Sequence, residues 1–164
     1  MGGTDQGAAL ALHSETVRPE WIDYNGHMNV GYYVLAFDHA TDALLNHLNI
    51  GDDYRRDANC STFVVGSHVT YQQEVTEGAG LSFTTRILGS DAKRIHLFHE
   101  MNRSDDGALA ATNEVMVLHI DMASRRTAPL PEAVQSRMTE ITAAQSALPM
   151  PKEVGHVMAI PAPK

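Results

Sequence analysis

The sequence predicts an α+β fold in which a curved antiparallel sheet of five strands surrounds one long central helix, with a further helix near the C-terminus. Between residues 30 and 48, apolar side chains recur at helical spacing and occupy most of the remaining positions as well. After residue 61, four runs alternate apolar and polar residues, as strands with one buried face do. A helix that is apolar nearly all round is most simply buried by a sheet that curves around it.

The remaining elements follow from local signals along the chain. We expect strands over 16–22, 62–75, 81–87, 94–102 and 109–122, a polar loop over 52–61, and helices from Asn29 to a stop at Gly51 and over 132–144. Asp105-Asp106-Gly107 predicts a hairpin turn, and the uniformly apolar run 115–118 predicts an interior strand. Together these elements form one domain over 14–146, preceded by a flexible arm over 1–13 and followed by a proline-rich irregular tail over 147–164.

Composition excludes several classes of function. A formal net charge of −8 argues against a nucleic-acid surface, which requires a basic face. No apolar run reaches the ~18 residues of a membrane span. A single cysteine, Cys60, fits a reducing compartment, so we expect a cytoplasmic protein.

The basic residues are unevenly distributed. Six of the twelve fall in adjacent pairs, each in a predicted loop or at a strand end: Arg55-Arg56, Lys93-Arg94 and Arg125-Arg126. Any one pair is most simply a solvated surface feature. Together they could bind the phosphates of a nucleotide-bearing ligand.

The segment 21–29, WIDYNGHMN, carries the densest group of polar side chains, directly before the long helix. Polar groups near a core are costly unless they are paired, and such clusters are typical of functional sites. The alternative is structural: Asp23, Asn25 and Asn29 would satisfy turn and cap donors, and His27 would be a hydrogen-bonded core residue.

The chemistry that this cluster permits is attack on an acyl carbon. Asp23 could act as general base or as nucleophile. The backbone amides at the helix N-terminus, those of Val30 and Gly31, could stabilise the oxyanion, and one such donor is worth ~3 kcal/mol of barrier. His27 and Asn29 would position the water or the carbonyl. This equipment is sufficient to hydrolyse a thioester.

Other catalytic arrangements are not supported by the sequence. It has no G-x-S-x-G elbow, no phosphate loop and no dinucleotide fingerprint. His96 and His99 are three residues apart in a predicted strand, and therefore on opposite faces. We expect no catalytic metal and no cofactor.

The segment Trp21 to Asn29 and the helix that follows resemble the D-x-x-G-H-x-N signature of the hotdog-fold thioesterases of the 4-hydroxybenzoyl-CoA thioesterase superfamily. The resemblance covers about residues 14–125 and implies a hotdog fold. Asp23 takes the position of the family's catalytic aspartate, and the amide of Val30 or Gly31 that of its carbonyl-polarising helix N-terminus. It also implies acyl-CoA substrates, no metal, and a homodimer or dimer-of-dimers tetramer with the site at the subunit interface.

A narrower resemblance is to the betainyl-CoA thioesterases, including those fused to carnitine dehydrogenases. It is seen in the runs VRPEWIDYNGHMNVGYYVLAFDHATD, DAKRIHLFHEM and AATNE. It implies a substrate with a quaternary ammonium group, which aromatic side chains bind well. The candidate substrate contacts are Trp21, Asn25, Tyr32 and Tyr71, together with His68, which could line the pocket of the partner subunit. Tyr33 and Phe37 lie on the core stripe of the helix and are interpreted as packing residues.

Two alternatives remain open from the sequence. One is a hotdog hydratase or dehydratase, which would need a histidine paired with an acid. The other is a non-catalytic module on the same fold that binds an acyl or quaternary-ammonium ligand. The intact Asp23 at the helix entrance argues against the second.

Overall fold

The computed structural model describes residues 7–160 and has an antiparallel sheet with a long central helix. The strands are β1 Leu10–Thr16, β2 Cys60–Tyr71, β3 Gly80–Ser90, β4 Arg94–Arg103, β5 Leu109–Asp121 and the two-residue β6 Arg126–Thr127. The helices are α1 Val30–His47, α2 Asp52–Ala58 and α3 Glu132–Ala144, with a 3-10 turn at Pro19–Trp21. The predicted α+β architecture is confirmed, and α3 has the predicted bounds.

The five long strands follow the spatial order β1-β3-β4-β5-β2, and β6 adds a short pairing to β5. All of these pairings are antiparallel. The apolar run in β5 is therefore interior, as predicted, because β5 pairs with β4 on one side and β2 on the other. β1 and β2 are the two edges of the sheet.

Helix α1 begins at the predicted position. The side chain of Asn29 accepts a hydrogen bond from Gly31 N at 2.9 Å, as an N-cap does. The helix ends at His47, before the predicted stop at Gly51, because Asn49 adopts the left-handed conformation with φ 58°. Gly51 instead precedes α2, which replaces the loop expected over 52–61. Asp52 and Asp53 stabilise that short helix by placing negative charge at its N-terminus.

The first strand lies earlier than predicted. β1 begins at Leu10, so residues 10–13 of the expected arm belong to the sheet. The strand expected over 16–22 is wrong beyond Thr16, because Pro19 begins a 3-10 turn there. Residues 1–6 of the predicted arm lie outside the described residues.

The core follows the length of α1 in two clusters. Around its C-terminal half, Leu44 and Leu48 pack with β3–β5 and with Met138 and Ile141 of α3. Around its N-terminal half, a second cluster joins α1 to the segment that precedes it and to the sheet: Tyr33, Phe37, Ala40, Trp21, Met28, Phe83 and Met101. The polar cluster before α1 is thus anchored directly to the core.

One apolar stripe of α1 is exposed, although the sequence predicts a deeply packed helix whose solvent side consists of the polar residues Asp38, Asp42 and Asn46. Val30, Val34 and Leu35 are exposed. Beside them, edge strand β2 exposes Val64 (47 %) and Val65 (56 %). β2 is 12 residues long, pairs with β5 on one side only and exposes apolar side chains. Such an edge is a template for pairing with another strand.

The segment from Leu148 to Ile160 forms no helix or strand and crosses the sheet face opposite α1. Arg86 Nη1 donates to Pro149 O (2.6 Å), and Gly155 N donates to a carboxylate oxygen of Glu114 (2.7 Å). The ring of His156 stacks on that of His68 at 5.6 Å. Residues 161–164 of the predicted tail lie outside the described residues.

A buried histidine links α1 to the sheet. His99 is 0 % exposed, with Nδ1 2.9 Å from Thr85 Oγ1 and Nε2 3.1 Å from Thr41 Oγ1. Thr41 donates its own proton to Phe37 O, so Nε2 is the protonated nitrogen and Thr85 donates to Nδ1. Burial lowers the pKa of His99 to about 4, which keeps the ring neutral.

We expect the free energy of unfolding to decrease by about 2 kcal/mol when the pH falls from 7 to 5, because of the titration of His99. Its pKa is about 4 in the folded chain and 6.5 in the unfolded chain, so between these values the unfolded chain binds more protons. The contribution of His99 to the free energy of unfolding is therefore fully present above pH 6.5 and decreases as the pH falls toward 4. Urea unfolding at both pH values measures the decrease, which should be smaller for His99→Gln. Equal decreases in the two proteins would contradict this assignment.

Candidate active site

Residues 23–27 form a closed turn before α1. Asp23 N donates to His27 O (3.1 Å), and Gly26 N donates to Asp23 O (3.0 Å). Gly26 has φ +81°, a conformation that favours glycine. Within the turn, Asp23 Oδ1 accepts a hydrogen bond from Asn25 N at 2.8 Å, which fixes the half-buried carboxylate.

The turn is attached to its surroundings at both ends. Met28 N donates to Val75 O (2.8 Å), and Asn29 N donates to Trp21 O (2.9 Å). Met28 and Trp21 are themselves buried in the core. The position of Asp23 relative to the start of α1 is therefore set by backbone hydrogen bonds and by packing.

The first amides of α1 differ in their availability. Gly31 N donates to the Asn29 side chain, and Tyr32 N donates to Asn29 O at 3.0 Å. Val30 N–H has no hydrogen-bond acceptor within residues 7–160. Of the two predicted oxyanion donors, Val30 is thus the available one, at the positive end of the helix dipole.

A cavity of about 240 Å³, here called the tyrosine pocket, lies beside this amide. It is lined in part by His27, Val30, Tyr33, Tyr71 and Glu74. The rings of Tyr33 and Tyr71 meet at 89° with centroids 5.1 Å apart, and His27 Nε2 lies 3.7 Å from Glu74 Oε2. The pocket therefore offers an aromatic corner and a carboxylate next to a free backbone donor.

The opposite flank of the helix N-terminus borders a second cavity, of about 410 Å³, here called the β2 cleft. Gly31, Val34 and Leu35 line it from α1, and Ser67 and Asn113 line it from the sheet. Ser67 Oγ donates to the buried Asn113 side chain at 2.8 Å. The first turn of α1 thus separates two cavities, one lined by tyrosines and one open along edge strand β2.

Two of the predicted substrate contacts have structural roles in this chain. Trp21 is 2 % exposed, and it stacks on Tyr32 at 5.4 Å beneath the guanidinium of Arg18. It therefore fills the core and presents no free face to a ligand. His68 alternates with Ser67 along β2, so it lies on the face away from α1, against His156. The prediction that His68 lines the pocket of the partner subunit remains a prediction, since His68 does not reach the pocket of its own subunit.

The other predicted contacts are more accessible. Asn25 is exposed at the tip of the turn, where its backbone holds Asp23. Tyr32 is half-buried on Trp21, and Tyr71 is 48 % exposed in the tyrosine pocket. Sequence reasoning missed Tyr33 as a pocket residue, because its helical spacing indicated only core, and it missed Glu74, which no motif marks.

The three basic pairs lie at the other end of the sheet from Val30. Arg55-Arg56 lie in the last turn of α2, Lys93-Arg94 at the start of β4, and Arg125-Arg126 just after β5. All three pairs are close to where β2 begins at Cys60. Arg56 is engaged by Asp52 and Asp53, and Arg94 by Asp91. The pairs also border cavities: Arg55 lines one of about 730 Å³, and Lys93 and Arg94 line one of about 470 Å³. Arg125 lies over the ring of Phe63 at 5.8 Å, and Arg126 is exposed in β6.

Comparison with known proteins identifies the class. Residues 17–138 match the model of the thioesterase-like superfamily, and the chain belongs to that family. The long helix, the antiparallel sheet and the acidic turn before the helix define a hotdog-fold thioesterase, as the sequence predicted. Within the described residues, no helix is long and apolar enough to cross a bilayer.

The chain is similar in sequence to proteins named as betainyl-CoA thioesterases. The chain is 37% identical to a betainyl-CoA thioesterase of Pseudomonas aeruginosa over 152 residues, covering 93% of this chain and 96% of that protein. It is 39% identical to an L-carnitine dehydrogenase/betainyl-CoA thioesterase of Agrobacterium fabrum over 89% of this chain, but it matches only 30% of that longer protein.

Solved structures share the fold. A hypothetical protein of Staphylococcus aureus, in complex with CoA, superposes with a TM-score of 0.86 and 30% identity over 93% of this chain and 97% of that one. A 1,4-dihydroxy-2-naphthoyl-CoA thioesterase from Synechocystis superposes with a TM-score of 0.68 and 17% identity over 85% of this chain and 97% of that one, a likeness of fold alone.

Proposed function

We propose that this thioesterase hydrolyses betainyl-CoA to betaine and CoA, with Asp23 and the Val30 amide as its catalytic groups. The observation that carries this proposal is the position of the tyrosine pocket beside the free Val30 N–H. In a betainyl thioester, one methylene separates the quaternary nitrogen from the carbonyl carbon. A cation site and an oxyanion donor must therefore be immediate neighbours, and Val30, which carries the donor, lines the tyrosine pocket.

The acyl group fits the tyrosine pocket by its chemistry. Tyr71 is 48 % exposed in the pocket, so its ring can contact a trimethylammonium group, and such a contact contributes ~0.5–2 kcal/mol. The buried Tyr33 packs against the Tyr71 ring at a right angle and supports it from the core. Glu74 supplies a negative charge at the same wall. Burial raises the pKa of both tyrosines, so they remain neutral phenols at physiological pH.

The reaction follows from the two groups at the helix entrance. The carbonyl oxygen accepts a hydrogen bond from Val30 N–H, which stabilises the charge that develops during attack. Asp23 either removes a proton from the attacking water or attacks the carbonyl carbon itself to form an anhydride that water then opens. In both routes the C–S bond breaks, the carboxylate of betaine is released, and the CoA sulfur leaves as a thiolate and is protonated. His27, on the pocket wall, and the capping side chain of Asn29 orient the carbonyl and the water. No metal or cofactor is required in this scheme.

We further propose that the active unit is a homodimer, or a tetramer of two such dimers, formed through β2. A two-fold axis across that edge would pair the strand with its own copy in antiparallel orientation. The Cys60 end of one β2 would then lie beside the Tyr71 end of the other. The exposed apolar residues of β2 and of the α1 stripe would be buried by this contact.

This dimer also gives the basic residues a function. β2 spans about 40 Å, so the basic pairs are too distant from Val30 of their own chain. In the antiparallel dimer, the basic end of one subunit faces the tyrosine pocket of the other. Arg55, Lys93 and Arg126, which have no acidic partner within residues 7–160, are then the best candidates for the CoA phosphates. This arrangement supports a site at the subunit interface, and we retain the cytoplasm as the proposed location.

The hydratase alternative has one observation in its favour. His27 and Glu74 form the histidine–acid pair that such a reaction would use, at 3.7 Å. The family match favours hydrolysis. A crotonyl-CoA hydration assay run beside thiol release distinguishes the two activities, and we expect no hydration.

Asp23→Asn should lower kcat for betainyl-CoA by about 10²- to 10⁴-fold, because the amide can neither accept the water proton nor attack the acyl carbon. Asparagine still offers an oxygen to Asn25 N, so the turn should persist. Free thiol release measures the rate, and circular dichroism checks the fold. Asp57→Asn, an exposed residue of α2, is the matched control and should retain full activity. More than about a tenth of wild-type turnover in Asp23→Asn would contradict the assignment.

Tyr71→Leu should raise KM for betainyl-CoA by about 2- to 30-fold, the loss expected for one cation–π contact. The test substrate should be compared with 3,3-dimethylbutanoyl-CoA, which has the same shape and no charge. Tyr71→Phe keeps the ring face and should behave as wild type. An equal loss for both substrates in Tyr71→Leu would show a packing effect and would contradict cation recognition.

Val64→Asp should convert the dimer to monomers and abolish turnover, because it places a charge on the apolar β2 edge in each subunit. Light scattering coupled to size-exclusion chromatography measures the mass. Val157→Asp, at an exposed position of the tail, should leave both mass and activity unchanged. A monomeric wild-type protein with full activity would contradict an interfacial site.

A further inference from the structure

Three metal-ligating side chains converge on the sheet edge formed by β1. Their ligand atoms, from His13, Glu15 and His39, all lie within 4.8 Å of one another. His13 Nε2 is 3.1 Å from Glu15 Oε1, and His39 Nδ1 is 3.1 Å from Oε1 and 3.2 Å from Oε2. Glu15 thus lies between two imidazoles.

The fold fixes each member of this cluster. His13 and Glu15 are two residues apart on β1, so their side chains project from the same face of the strand. His39 projects toward them from α1, which packs against β1. The His13 ring also packs on the buried Phe83 ring at 5.1 Å, which limits its rotation. The three ligands therefore come from two rigid elements that the core already holds together.

The donor set is that of a divalent transition metal. Two imidazole nitrogens and one carboxylate bind Zn²⁺ at about 2.0–2.2 Å, and two atoms on one such ion lie roughly 3–4 Å apart. The His–Glu separations of 3.1 Å match that spacing. All three side chains are part-exposed, from 11% for Glu15 to 34% for His39, so water can reach the remaining coordination positions.

We infer that His13, Glu15 and His39 form a binding site for one Zn²⁺ or a similar divalent transition metal per chain. The ion would join β1 to α1 and so reinforce an edge strand. It would replace the direct histidine–glutamate contacts by metal bonds, with both imidazoles neutral and water completing the coordination.

This site is separate from the groups proposed for catalysis. His39 lies about 13 Å along the helix axis from Val30, at 1.5 Å per residue. It also lies at the β1 edge, whereas the tyrosine pocket borders the end of β2. The ion is therefore structural, and the expectation of no catalytic metal is unaffected.

The test is Zn²⁺ binding to the full-length chain without a polyhistidine tag, after removal of metal with a chelator. Competition with a chromophoric chelator should give one Zn²⁺ per chain and a higher melting temperature. Bound Co²⁺ should show visible bands of a nitrogen–oxygen site without the intense thiolate charge-transfer band that Cys60 would produce. His39→Gln and Glu15→Gln should each weaken binding at least about 10-fold and lose the thermal shift.

Two controls identify the site. His96→Gln removes a histidine from a similar contact, 2.7 Å from Glu114, that has no third ligand among residues 7–160. This variant should bind Zn²⁺ as wild type does. Cys60→Ser should also bind normally. Circular dichroism confirms that His39→Gln, changed at a part-exposed position, is folded. The absence of stoichiometric binding, or equal affinity in His39→Gln and wild type, would overturn the inference and leave the cluster as a hydrogen-bonded triad.

Discussion

The available amide at the N-terminus of α1 is the constraint on which the rest of the site depends. A helix necessarily leaves its first N–H groups without intrahelical acceptors. Asn29 satisfies one of them, that of Gly31, and leaves that of Val30. The same residue donates its backbone N–H to Trp21, which ties the helix start to the turn that carries Asp23. A single capping residue thus leaves the donor available and ties the helix to the turn, while Asn25 N holds the Asp23 carboxylate.

The burial of α1 explains why this arrangement is stable. Phe37 and its neighbours hold the N-terminal half of the helix in the core, so the partial charge at its entrance is fixed relative to the sheet. The packed side chains of this cluster exclude water from one side of the helix N-terminus. The tyrosine pocket occupies another side, where Tyr33 serves both the core and the cavity wall. The flank along β2 is open in the described part of a single chain, and this is the flank that a second subunit would cover.

The sequence specified the fold well wherever one local signal dominated. Asn29 as N-cap and the Asp105–Gly107 turn follow from capping and turn chemistry, which act within a few residues. The bounds of α3 follow from Pro129 and Pro131 before it and from its own polar and apolar pattern. The bounds of the first strand and the end of α1 were predicted wrongly, because in each case two stop signals lie close together in sequence. The strand ends at Thr16 because Pro19 begins a 3-10 turn, and α1 ends ahead of Gly51 because Asn49 takes the left-handed conformation.

The site was predicted less completely, and the reason is geometric. Asp23 and Val30 are close in sequence, so a motif and a helix start were enough to pair them. Glu74 and Tyr71 reach the same pocket from a strand end about 40 residues later, a proximity that only the fold creates. Trp21 had suitable chemistry, but its burial in the core leaves no face for a ligand, and strand alternation turns His68 away from the pocket of its own subunit. A separation of 24 residues in sequence likewise hid the contact between Glu15 and His39.

The most direct test of the account is a crystal structure of Asp23→Asn with betainyl-CoA bound. We expect the thioester oxygen about 2.7–3.1 Å from Val30 N, with residue 23 facing the carbonyl carbon and the trimethylammonium group against Tyr71. A thioester bound in another cavity, with Val30 N–H directed at solvent, would contradict it.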